Sequence, residues 1–119
     1  MLQLKAFSGK IYYASVYDLA TPPAYPGVYL VGSQDSTGFR IVYIGEAQDV
    51  RARLANHEKR AVFTRYGATV VAVHVTFTDG AGRCAVERDL IAAYDPPGNK
   101  ETIDLVTLLG RPSSVRRPF

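Results

Sequence analysis

The chain has 119 residues and a formal net charge of +3, with ten arginines against four lysines and a sequence pI of about 9.1. That length admits one domain with a modest core, and the charge permits a polyanionic partner, with an arginine bias suited to planar, two-pronged phosphate contacts. A single cysteine, Cys84, excludes an internal disulfide and a cysteine-based zinc site, and no apolar run approaches the roughly 20 residues that span a bilayer.

The opening residues, Met1-Leu2-Gln3-Leu4-Lys5, lack the apolar core of a signal peptide, so the expected location is cytoplasmic, with no membrane partner. Residues 1–26 read as a lead-in, with a weak strand or short helix around Ile11–Leu19 closed by Thr21-Pro22-Pro23. Pro26-Gly27 then starts a run, Val28–Val31, whose β-branched and aromatic content predicts a strand. Gly32–Gly38 is rich in turn formers and reads as a hairpin loop, with Phe39–Ile44 as the return strand and Gly45 closing it. Asp49 is a suitable N-cap for a helix running to about Arg60, with Val50 and Leu54 inward. Arg53 and His57, four residues apart, share a face beside that stripe.

Thr69–Phe77 is the clearest β run in the chain. Asp79-Gly80-Ala81-Gly82 breaks it, and a second helix follows from about Ala81 to Tyr94, stopped by Asp95-Pro96-Pro97. Cys84 on that helix has an apolar setting that suits a buried, inert thiol. The basic tail, Arg111–Phe119, carries two prolines, two serines and three arginines and reads as poorly ordered. The order β-β-α-β-α implies a small α+β domain with an antiparallel hairpin and helices packed on the sheet.

Chemistry-bearing residues gather along this order. Gly27-Val28-Tyr29 and Tyr43-Ile44-Gly45 put two tyrosines fourteen residues apart at the ends of two strands, and Arg53 and His57 follow at once. Two phenols, a guanidinium and an imidazole in one supersecondary unit can hold and hydrolyse a phosphodiester, given a carboxylate for a metal. Glu87 is the candidate. It emerges from a helical stripe of Cys84, Leu90, Ile91 and Tyr94, where a carboxylate seldom sits unless paired or metal-bound. An ion pair with Arg88, Arg83 or Arg53 is the alternative. Both tyrosines also suit plain sheet packing, and His57 suits a helix surface.

These residues carry a resemblance. Residues 27–99 resemble the GIY-YIG nuclease domain, whose two tripeptides stand here as GVY and YIG. Arg53 falls ten residues after the YIG tyrosine and His57 four later, as in the family. Glu87-Arg88-Asp89-Leu90-Ile91 matches its helical glutamate, and Pro96-Pro97-Gly98-Asn99 its proline-asparagine stop.

The resemblance implies a central three-stranded antiparallel sheet flanked by helices. It also implies a metal-dependent endonuclease acting on DNA, with RNA left open, through water attack at one Mg²⁺ or Mn²⁺ held by Glu87. One carboxylate suffices for magnesium, which keeps most of its waters. Tyr43 would activate the attacking water, Tyr29 orient it, and Arg53 clamp the phosphate. His57 would assist. Arg51 and Arg60 would add phosphate contacts, Gly27 and Gly45 would permit close backbone approach, and Asn99 would clamp the loops. Where some members carry a lysine after the YIG glycine, this chain has Glu46, which would raise the Tyr43 hydroxyl if it faced it. Specificity would come from a protein partner or a fused domain. A binding module with little turnover, or a nuclease toxin or effector, are the rival readings.

Overall fold

The structure is a computed structural model and describes residues 1–101; the basic tail at 111–119 lies outside the described residues. The lead-in proves to be sheet. Strands β1 (Leu2–Lys5) and β2 (Ile11–Asp18) precede β3 (Gly27–Asp35), β4 (Gly38–Ala47) and β5 (Val70–Val75), and all five join one antiparallel sheet in the order β1-β2-β5-β3-β4. The expected three-stranded sheet is therefore the β5-β3-β4 part of a five-stranded one. The Ile11–Leu19 segment is ambiguous on its own; pairing Ser15–Asp18 against Val73–Val70 of the apolar β5 makes it a strand, and β1 then adds to its outer edge.

The hairpin is longer than turn content suggests. Strands continue to Asp35 and restart at Gly38, because Asp35 Oδ1 accepts from both the Thr37 N–H and its hydroxyl and folds a two-residue turn. A register shift between Val31 and Gly32, opposite Tyr43 and Ile41, leaves Val42 as an extra residue on β4.

The helical region also departs from expectation. Instead of one helix to Arg60, α1 (Val50–Ala55) ends at Asn56, whose backbone leaves the helical region, and α2 (Arg60–Arg65) follows. Asp49 caps α1, with Oδ1 accepting from the Ala52 N–H at 3.0 Å. The break has a packing reason: His57 turns inward and is buried beside Tyr29 and Phe63 rather than lying on a helix face with Arg53. Helix α3 (Gly80–Tyr94) is capped by Asp79, and α4 (Pro97–Lys100) is one turn after the proline stop. No helix among the described residues is long and apolar enough to cross a membrane.

Each face of the sheet has its own core. Tyr29, Val31, Val71 and Val73 pack with Val50, Leu54 and Phe63 of α1 and α2, while Val28, Leu30, Ile44 and Ala72 pack with Leu90 of α3. Leu2 of β1 and Ile41 of β4, from opposite edges, both join the α3-side cluster, so the sheet curls around α3.

Candidate active site

Strand alternation on β3 and β4 sends Tyr29 and Tyr43 toward the α1–α2 side. Tyr29 lies opposite Gly45 in the ladder, and a Cβ at Gly45 would run into its ring. Gly27 answers a different need: a Cβ there would strike the His74 carbonyl of β5, so this glycine lets two strands meet. Tyr43 is half-buried, its ring centroid 5.1 Å from His57 and 5.6 Å from Phe63.

The short turn after α1 fixes the imidazole. His57 Nδ1 accepts from the Lys59 backbone N–H at 3.0 Å, and its Nε2 lies 2.8 Å from the Tyr29 hydroxyl. A backbone N–H can only donate, so the neutral ring carries its proton on Nε2 and donates it to Tyr29. Burial, helped by the Arg53 charge, pushes His57 down to about 4, so the ring is neutral at physiological pH. Tyr29, having accepted, has its own O–H to give, and the Tyr43 ring lies beside it with centroids 6.2 Å apart. The result is a directed chain from the Lys59 amide through His57 to Tyr29.

Burial raises both phenols; for Tyr43 the Arg53 charge opposes this, while Glu58 and Glu87 add to it. Arg53 is therefore near both rings. Its Nη1 and Nη2 donate to Glu58 at 2.7 and 2.6 Å, and the guanidinium beside it pushes Glu58 down to about 2.

Glu87 is half-buried on α3, and its carboxyl is raised by burial, then by the charge of Glu46, with Arg88 opposing. Among the described residues it forms no salt bridge within 4.0 Å. Two of the expected partners are engaged elsewhere: Arg83 with Glu46 at 2.9 Å and Arg53 with Glu58. The ion-pair alternative for Glu87 is thus not what forms. Glu46 likewise does not raise Tyr43; it faces α3, as alternation along β4 requires, and acts on Glu87.

Asn99 closes the opposite side of β4. Its Nδ2 donates to the Ile44 carbonyl and its Oδ1 accepts from the Ile44 N–H, both at 2.8 Å. Lys59, which the sequence did not single out, donates from Nζ to the Gly98 and Glu101 carbonyls at 2.7 Å each and lies 5.3 Å from the Tyr43 ring centroid. Nothing in the local pattern marks it, since its partners are about forty residues away.

Other assignments divide. Arg51 Nε donates to the Pro22 carbonyl and Arg60 Nη1 to the Ala55 carbonyl. Both line a separate cleft of about 240 Å³ over Leu54 and Phe63, which none of Arg53, Tyr29, Tyr43 or Glu87 lines. Cys84, expected to be buried, is partly exposed, and its thiol is raised by desolvation and by Glu46.

No protein-family model and no curated protein matches the sequence. Solved structures do. The GIY-YIG N-terminal endonuclease domain of UvrC from Thermotoga maritima, bound to its catalytic magnesium, is 23% identical with a TM-score of 0.51, covering 68% of this chain and 90% of that one. A tyrosine-to-phenylalanine mutant of that domain, also with its catalytic divalent cation, gives 23% and 0.52 over 70% and 91%. The chain therefore has the GIY-YIG fold, in a five-stranded form.

Proposed function

We propose that this protein is a metal-dependent endonuclease that hydrolyses DNA phosphodiester bonds at the Tyr29, Tyr43, Arg53, His57 and Glu87 cluster. The observation that carries the reading is Glu87: a half-buried carboxylate, raised by burial and without a salt-bridge partner among the described residues, near two phenols and an arginine. Such a group suits a divalent cation. Among the described residues no three His, Cys, Asp or Glu side chains gather, so Glu87 would hold Mg²⁺ or Mn²⁺ with water and substrate oxygens completing the shell. When bound, the ion supplies Lewis-acid polarisation of the phosphate and charge to offset the leaving oxygen.

The chain's own side chains do the rest. Tyr43 orients the attacking water and, once ionised, takes its proton; burial raises the hydroxyl, and the Arg53 charge opposes that by favouring the phenolate. Arg53 donates to the non-bridging phosphate oxygens as charge develops there. His57 stays neutral and holds Tyr29 in place. Asn99 fixes β4 next to Tyr43. Residues 1–119 act as one catalytic domain, with specificity supplied by a partner or fused domain.

A second reading, a nucleic-acid-binding module with little turnover, draws on one observation: burial holds the Tyr43 hydroxyl above its ordinary value, which disfavours a base at neutral pH. Incubating supercoiled plasmid with the protein and Mg²⁺ or Mn²⁺ separates the two. Nicking or linearisation supports the nuclease; binding without either supports the module.

A further inference from the structure

Arg53 is engaged in the free protein. The two terminal nitrogens of its guanidinium meet the two oxygens of Glu58 end-on, at 2.7 and 2.6 Å. This two-pronged fit is also the one an arginine offers a phosphate group. Glu58 sits in the turn between α1 and α2, and among the described residues its carboxylate bonds to no other side chain. Both side chains are open to water, at 34% and 40% exposure, so exchanging one anion for another costs little. The Glu58 charge also raises the hydroxyls of Tyr29 and Tyr43.

We propose that Glu58 is a built-in stand-in for the substrate phosphate, occupying the Arg53 fork in the free protein and displaced from it when DNA binds. The inference rests on the nuclease reading for the identity of the displacing anion. Two consequences follow from the geometry. DNA must compete with a carboxylate for Arg53, which lowers affinity. The phosphate that replaces Glu58 is itself an anion, so the exchange leaves the charge beside the phenols nearly unchanged.

The test is fluorescence anisotropy of a labelled short DNA duplex in EDTA, which prevents cleavage, with the whole chain as wild type, Glu58→Gln, Arg53→Ala and the double variant. Glu58→Gln should tighten binding on the order of fivefold, and Glu58→Ala should do the same, which guards against a folding defect in one variant. Neither gain should survive in the Arg53→Ala background. An equal gain in both backgrounds would mean simple relief of charge repulsion and would overturn the proposal. Unchanged, weakened or absent binding in both Glu58 variants would overturn it too, because the carboxylate would then hold Arg53 in its binding pose. Failure of the nuclease reading registers separately, as a wild type that binds the duplex and never nicks plasmid with Mg²⁺ or Mn²⁺.

Discussion

Asn99 offers a perturbation whose size can be worked from geometry. Its side-chain amide makes both hydrogen bonds that a neighbouring strand would make to Ile44, each at 2.8 Å, on the edge strand β4. Asn99→Ala removes both, and at about 1 kcal/mol each the domain should lose about 2 kcal/mol. In a chain of this size that corresponds to a melting temperature roughly 10 °C lower.

Asn99→Asp sharpens the test. At pH 7 the new carboxylate still accepts from the Ile44 N–H but sets a negative oxygen against the Ile44 carbonyl, so it should be at least as damaging as alanine. Protonated, the carboxyl can donate to that carbonyl, so its folded pKa is raised above the unfolded value of about 3.9. A raised pKa means the stabilisation is present at low pH and lost as pH rises through the folded pKa. Thermal melts followed by circular dichroism at pH 4 and pH 7 should therefore show the aspartate variant gaining on the alanine variant as pH falls. An alanine variant melting within about 2 °C of wild type, or an aspartate variant with no pH-dependent gain, would refute the role given to this amide.

Tyr43→Phe should lose most cleavage while its melting temperature moves only a few degrees, since one hydroxyl contributes about 1 kcal/mol or less; wild-type turnover in the variant would reduce Tyr43 to packing. Arg53→Ala should cost two or more powers of ten in cleavage rate, roughly the loss of one charged transition-state donor, and Arg51→Ala, which lines a different cleft, should cost far less; equal losses in a cleavage assay would contradict that separation. With His57 held near 4 and an unfolded value of about 6.5, the unfolded chain binds the extra proton, so stability should fall by up to roughly 3 kcal/mol as pH drops from 6.5 to 4. That part of the acid limb should be missing in His57→Gln melts, and its persistence would show the ring is not buried neutral.

The parts of the fold legible in the sequence are those set by local chemistry. Val28–Val31 and Phe39–Ile44 carry their strand signal in β-branched and aromatic residues, and Asp49 marks a helix start through its own side chain. What escaped depends on distant partners. Ile11–Asp18 becomes a strand because β5 pairs with it, and Asn56 is a lone turn signal between Val50 and Arg60, too weak by itself to announce the break that buries His57. Lys59 and Glu58 gain their roles only once that turn forms. Glu46 was readable: one residue past Gly45 on a strand, it must face away from Tyr43 by the two-residue period alone.

The central claim is that Glu87 is a metal-holding carboxylate in a nuclease site, and Glu87→Gln in a Mg²⁺- or Mn²⁺-dependent plasmid-nicking assay, paired with a thermal melt, tests it most directly. Because burial and Glu46 disfavour the charged form, removing that charge should leave the melting temperature at neutral pH equal to wild type or higher. The account predicts wild-type nicking that needs the metal, and a variant that melts no lower yet leaves the plasmid supercoiled. A well-folded Glu87→Gln variant that nicks plasmid at the wild-type rate would contradict it.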